Sequence, residues 1–395
     1  MRFPEFTEEW ETKKLGEISS VSSGGTPSRA NPLYWDGDIP WISTTLIDFN
    51  LIEKSEEYIT QEGLENSSAK LFPIGTLLMA MYGQGKTRGK VAILNIEATT
   101  NQACGAIITN EEVLNSFFAF QNLVKRYDEI RDLSNQGSQE NLSGGIIKGI
   151  KITFPKLSEQ IKITSFLSLI DERIQTQNKI IEELKLLKNT LSKKIISGQL
   201  KFKDKNGNNF PEWVSKELAE VMSVPEKIKS KNIDKSRLLT VKLHLKGVSQ
   251  NDNTNTLSLG ATNYFIRKKG QFIYGKQNLF NGAFGIIPDE FDGFLSSGDV
   301  PALDIKHSKI NTAYLIYFLG RVDFYKRLED LAAGSGSKRI HETTLLGIKI
   351  DFPTIEEQHK IASFLLSIDG KIEIETNILQ KLERQKTYFL ANLFI

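Results

Sequence analysis

One stretch of this chain is written twice. GIKITFPKLSEQIKITSFLSLIDERI (149–174) returns as GIKIDFPTIEEQHKIASFLLSIDGKI (347–372), identical at 16 of 26 positions at a constant offset of 198. The openings of the two halves also correspond. WETKKLGEI from Trp10 resembles WVSKELAEV from Trp213, and each follows a Phe-Pro-Glu, Phe3-Pro4-Glu5 and Phe210-Pro211-Glu212. Self-similarity at a fixed period constrains architecture before any local propensity does. The unit here is a dissimilar domain followed by a similar C-terminal segment, used twice. The 395 residues suffice for two such domains and their connections.

The repeated segment predicts a short strand, Ile150 to Phe154 and Ile348 to Phe352, stopped by Pro155 or Pro353, because proline lacks the amide a continuing strand must donate. A helix follows, with Ser158 as its N-cap and Glu159 in the first turn. From Ile163 the apolar positions run Leu167, Ile170, Ile174, Ile181, Leu184, Leu191 and Ile195, the spacing of four and three that marks a heptad seam, with Gln177 and Lys188 interrupting it. The second copy gives Ile361, Leu365, Ile368, Ile372, Leu379, Leu382, Phe389 and Leu393, interrupted at the corresponding places by Glu375 and Lys386. A polar seam residue costs stability but restricts register and partner, so helices interrupted in register are predicted to pair with each other, antiparallel. A helix of about 40 residues spans about 60 Å and can act as a ruler. The polar run KFKDKNGNN (201–209) connects the first helix to the second domain.

The dissimilar segments, 1–150 and 210–346, carry short apolar runs between Gly, Asn and Asp, among them Gly75 to Met81, Lys90 to Leu94, Gln271 to Tyr274 and Gly282 to Ile287. Such runs read as twisted sheet with a few helices. Helical stretches, Val113 to Leu133 and Thr312 to Ala332, precede the repeated strand. The expected fold class is therefore α/β (α+β): two globular mixed domains in a pseudo-two-fold repeat, separated by two long helices forming an antiparallel coiled coil. Hydrophobic residues at 39% and charged residues at 25% exclude disordered and membrane classes. The start, MRFPEFTEEW, has no basic-then-apolar leader, so the cytoplasm is the expected location. Cys104 alone makes no internal disulfide, and His244, His307, His341 and His359 are too scattered to join it around zinc. The net charge of +2 is uneven, with −7 over 1–150, +4 over 151–200, +6 over 201–348 and −1 over 349–395. A nucleic-acid partner of the first domain must therefore meet a local basic patch.

Several runs carry a resemblance: SGGTPSRANPLYWDGDIPWIS (23–43), YGQGKTRGKVAI (82–93), TTNQACGAI (99–107), GSQENLSGGIIKGIKI (137–152), the helix start PKLSEQIKITSFLSLID, and KKGQFIYGKQNLFNGAFGIIPDEFDGFLSSGDVPALDI (268–305). Together they resemble the specificity subunit of type I restriction-modification enzymes over essentially the whole chain. The resemblance implies a target-recognition domain over 1–153, a spacer helix over 154–200, a second target-recognition domain over 201–350 and a second spacer helix over 351–395. It further implies that each domain reads one half of a split site in double-stranded DNA, and that the helices space the domains and dock two methyltransferase subunits. Two motor-nuclease subunits can join that assembly. No cofactor is implied in this chain: S-adenosylmethionine belongs to the methyltransferase, and ATP and magnesium to a motor-nuclease.

Reading DNA needs Lys or Arg for phosphates and guanine edges and Asn or Gln for adenine edges, on loops that enter a groove. In the first domain Lys86, Arg88 and Lys90, with Gly83 and Gly85 beside them, form the densest basic run, and Ser43, Thr44, Thr45, Asn101 and Gln102 supply polar groups. In the second domain the candidates are Arg267, Lys268, Lys269, Lys276, Asn278 and Asn281, with Lys242 and His244 alternating on one face of a strand. Gly85-Lys86-Thr87 is not a phosphate loop, since position 80 is Ala where that motif needs Gly. Glu183-Leu184-Lys185 lies within the heptad helix, and no Asn-Pro-Pro-aromatic or Asp-Pro-Pro-aromatic run for adenine methylation occurs. A non-catalytic reader is expected. The competing expectation is a protein-binding scaffold with paired helices and no DNA specificity, which the acidic first half keeps open.

Overall fold

A computed structural model describes residues 1–83, 86–134, 141–251, 262–334 and 337–394. Gln84 and Gly85 of the first basic run, and residues 137–140 of the GSQENLSGG run, lie outside them. The chain divides into two units, Met1–Lys179 with Asn377–Ile395, and Ile180–Thr376. The long helices, Leu157–Ile196 and Ile355–Leu393, each contribute one part to either unit.

Both domains are closed by the matched sequences. Strand Glu11–Lys14 pairs antiparallel with Lys151–Phe154, and Val214–Glu217 pairs in the same register with Lys349–Phe352, so the start and end of each variable domain are tied together. Inside the first domain a five-stranded sheet runs in the order Ser19–Ser23, Cys104–Thr109, Leu77–Ala80, Val91–Leu94, Leu51–Ile52. The second domain repeats the first four places as Met222–Ser223, Ala302–Ile305, Phe272–Tyr274, Phe284–Ile286. Beyond that shared sheet the domains differ. The first adds a three-stranded sheet of Glu57–Ile59, Trp35–Ile42 and Thr99–Thr100, and the second adds two small two-stranded sheets.

Alternation along the strands feeds two cores at once. Leu77 and Met79 join Phe118, Ile147, Ile163 and Leu167 on one face, while Leu78 and Ala80 join Ile42, Leu94 and Cys104 on the other. Phe272 and Tyr274 pack with Leu315, Phe318 and Leu365, and Ile273 turns away toward Leu239 and Ile287. The expected helices ahead of each repeat are broken. Ser116–Lys125 gives way at Arg126 to Tyr127–Asp132, and Thr312–Leu319 is followed by Val322–Arg327 and a 3-10 turn. Asn115 and Asn311 cap these helices, their Oδ1 atoms accepting from Phe118 N at 3.1 Å and Tyr314 N at 3.0 Å.

Ser158 is not the N-cap of the long helix, which already includes Leu157. The first turn is fixed instead by a buried glutamine. Gln160 Nε2 donates to Pro155 O and Val113 O at 2.8 and 2.9 Å, and its Oε1 accepts from Asn115 N at 2.8 Å. Gln358 repeats the arrangement, donating to Pro353 O at 3.0 Å and accepting from Asn311 N at 2.8 Å.

The predicted seam is the least exposed line of each long helix: Ile163, Leu167, Gln177, Ile181, Ile195, Ile361, Leu365 and Leu393 are buried. Ile170, Ile174, Leu184, Ile368, Ile372, Glu375, Leu379 and Leu382 are half-buried. In the first unit Phe166 meets Phe389 edge-on at 4.8 Å and Asp171 binds Lys386 at 2.6 Å, so the helices run antiparallel. In the second unit Lys188 binds Asp369 at 2.6 Å. The offset of 198 relates Lys188 to Lys386 and Asp171 to Asp369. One ion pair is thus made twice with the helices exchanging roles, which explains why the seam is broken by lysine in both copies. Each aspartate also accepts from the capped helix, Asp171 from Gln121 Nε2 at 3.0 Å and Asp369 from Tyr317 OH at 2.5 Å.

Replacing Gln160 by Leu keeps the bulk but strands Asn115 N–H and two carbonyls. Urea denaturation should show a loss of about 2–3 kcal/mol in the first unit, and a loss below about 0.5 kcal/mol would contradict the anchoring role.

Candidate nucleic-acid interface

The first-domain candidates gather at one end of the five-stranded sheet. Met81–Gly83 and Lys86–Lys90 lie between the neighbouring strands Leu77–Ala80 and Val91–Leu94, and Asn101 N donates to Ile42 O beside Ser43. A cleft of 320 Å³ lies there, lined by Thr44, Thr45, Asp48, Tyr82, Thr87 and Lys90. Lys86 is exposed, and its carbonyl accepts from Tyr127 OH at 2.5 Å, which anchors the loop. Lys90 is held by Asp48 at 2.6 Å. Ser43 and Thr45 share a hydroxyl hydrogen bond of 2.6 Å, and the exposed Gln102 accepts from Thr26. Two candidates are less open to solvent. Arg88 is only 7% exposed, and Asn101 Oδ1 accepts from Ala103 N at 3.0 Å to shape its own turn.

The second-domain candidates separate into two groups. Strands Phe272–Tyr274 and Phe284–Ile286 are antiparallel. The connection holding Lys276, Asn278 and Asn281 is therefore at one end of this hairpin, and Arg267, Lys268 and Lys269 are at the other. Lys242 and His244 do not alternate along a strand, because the strand ends at Val241. They belong to the turn that joins Leu239–Val241 to Val248–Gln250, where His244 and Leu245 both adopt φ of +58°. Left-handed backbone costs roughly 1–2 kcal/mol per non-glycine residue. Two hydrogen bonds hold it, from His244 N to Asn281 O and from Leu245 N to Gly282 O, each 2.9 Å. This contact brings Lys242, His244, Asn278 and Asn281 together. The turn exposes Leu243 and Leu245, flanked by Lys242 and Lys246. Lys246 and Tyr82 stand beside these candidates without having been singled out from the sequence; for Lys246 the lysine at each end of KLHLK was the available signal.

Arg267 and Lys276 are drawn into the interior of the second domain. Arg267 is 4% exposed, and its guanidinium donates to Ser296 Oγ at 2.7 Å and to Val300 O at 3.2 Å. Burial pushes it down to about 10, against the pull of Glu342, so it stays charged at neutral pH and ties a loop together. Lys276 is turned inward onto Glu342 at 2.9 Å. Burial acts to raise the Glu342 carboxyl, but hydrogen bonds from Lys276, its own backbone N–H and Lys227 outweigh this and hold it at about 2. Lys268 and Lys269 remain exposed, Lys269 beside Asp289 at 3.4 Å.

The sequence matches the type I restriction modification DNA specificity domain twice, over residues 7–186 and 211–384, and the chain belongs to that family. It is 28% identical over 337 residues to the MjaIX specificity subunit of Methanocaldococcus jannaschii, spanning 79% of this chain and 76% of that one. The MjaVIII specificity subunit of the same organism is 24% identical across 96% of this chain and 90% of its own length. A crystal structure of a type I restriction-modification S subunit from M. genitalium aligns with a TM-score of 0.59 at 16% identity, covering 100% of this chain and 99% of that one. At that identity the likeness is one of fold.

Two outcomes follow. Arg267→Met should destabilise the second domain by about 3 kcal/mol, whereas Lys242→Ala or Lys246→Ala should change it by less than about 0.5 kcal/mol in thermal melts. Equal losses would mean the turn is structural. Because Glu342 is depressed below the unfolded value of about 4.3, its stabilisation is complete above that pH and is lost as pH falls toward 2. The urea midpoints of the protein and of Glu342→Gln should converge across that window.

Proposed function

We propose that this chain is the non-catalytic reader of a type I complex, with each variable domain reading one half of a split site in double-stranded DNA. The paired helices set the spacing of the half-sites and dock two methyltransferase subunits. The observation that carries this is the repeated framework. The glutamine anchors and the exchanged Asp–Lys pairs occur twice, and a surface made twice offers the same partner two equivalent places. The domains depart from each other where reading would occur. Methyl transfer, with S-adenosylmethionine, belongs to the methyltransferase subunits; ATP-driven, magnesium-dependent cleavage belongs to motor-nuclease subunits where these join. The assembly works in the cytoplasm, on the DNA there.

In the first domain the reading surface is the cleft end of the sheet, with Lys86, Lys90, Ser43, Thr44, Thr45 and Gln102. In the second it is the turn Lys242–Lys246 with Asn278 and Asn281, a ribbon of a width that the major groove admits. Lys268 and Lys269, at the opposite end, are suited to phosphate rather than base contact. Binding by the assembled complex should weaken steeply with salt. Lys86→Ala should lower affinity for all sequences alike and reduce the salt slope by about one if it meets phosphate, or relax preference at one position if it meets a base. Binding indifferent to both salt and sequence would contradict the reading function and favour a scaffold.

A further inference from the structure

The two copies of the framework treat one buried carboxylate differently. In the first copy Glu159, 2% exposed, is clasped by Arg2, whose Nε and Nη2 reach its two carboxylate oxygens at 2.8 and 2.7 Å. Trp10, just before the matched strand, has its Nε1 buried without a hydrogen-bond partner among the described residues. In the second copy the equivalent carboxylate, Glu357, is 4% exposed. The residue before Phe-Pro-Glu is here Asn209 rather than arginine. Glu357 takes a hydrogen bond from Trp213 Nε1 at 3.1 Å instead. Burial holds its carboxyl above the usual glutamate range, with Trp213 and Lys201 opposing and Glu212 assisting.

Beside Glu357 the fold leaves a pocket of 440 Å³, walled by Phe202, Phe210 and Trp213 and edged by Lys201, Glu212 and Asp351. Lys201 is occupied by Glu212 at 3.1 Å. We infer that this pocket receives one arginine side chain of a partner protein, doing for Glu357 what Arg2 does for Glu159. Three features select that occupant. The carboxylates repel nucleic-acid phosphate. The first copy shows the site geometry accepting a forked guanidinium. The aromatic walls suit a planar, weakly hydrated cation better than a compact ammonium. The inference rests on the proposed function only in naming the methyltransferase subunit as the source. It adds an asymmetry: of two equivalent docking places, one is satisfied within the chain and the other is open.

The test uses the full chain with Nα-acetyl-arginine amide, and Nα-acetyl-lysine amide as control, following the Trp213 indole resonance. The arginine compound should shift that resonance saturably, with at least ~10-fold weaker response to lysine. Trp10, Trp35 and Trp41 should not respond. Glu357→Gln keeps an acceptor for Trp213 and should abolish the response, as should Asn209→Arg, which supplies the guanidinium in cis. A response that survives Glu357→Gln, or equal non-saturating shifts with both compounds, overturns the pocket. Glu357→Gln should also weaken association with the methyltransferase subunit ~10-fold or more. Unchanged association overturns the partner assignment. DNA binding by the complex formed at saturating methyltransferase reports on the reading function separately.

Discussion

Each long helix leaves its sheet at a proline, and a glutamine amide on its first turn decides how it leaves. Gln160 and Gln358 are buried where the strand, the capped helix and the long helix converge. The carbonyls of Pro155 and Pro353 lie just past the ends of their strands and the amides of Asn115 and Asn311 just before their helices, and a buried backbone group must find a partner. One side chain satisfies them in each copy. Ile163 and Leu167 then fall into the core around Phe118, and Asp171 falls opposite Lys386. The second copy obeys the same sequence of constraints, with Ile361 and Leu365 entering the core around Tyr314 and Asp369 meeting Lys188.

The heptad seam was legible because its signal is a period: hydrophobic spacing of three and four reports a helix face whatever surrounds it. The domain-closing strands were half legible, since the similarity of WETKKLGEI and WVSKELAEV marked the edges without stating their pairing. What escaped were features decided by distant contacts. Ser158 has the composition of a cap, but Gln160 orders the turn through residues about 45 positions earlier. Lys242 and His244 alternate like strand residues, yet hydrogen bonds to Asn281 and Gly282 hold His244 and Leu245 left-handed. Among charged candidates, sequence could not separate Lys86 from Arg88, or Lys242 from Arg267. Exposure is a property of packing, and a charge that ties loops together reads as the same letter as one that faces solvent.

The framework and the two domains it carries therefore answer to different constraints. The framework repeats many of its hydrogen bonds, and one departure, Arg2 against Asn209, leaves the open pocket at Glu357. The readers keep only a shared four-strand order. The first presents a polar cleft on an acidic domain, the second a basic turn carrying exposed leucines.

Two independent readers hang on one repeated frame. The decisive experiment replaces residues 218–348 by residues 15–150, between the matched closing strands, and maps methylation in DNA from cells carrying the complex. The account predicts a symmetric site, the first half-site in two inverted copies at the original spacing. Methylation still confined to the original unequal site would contradict it.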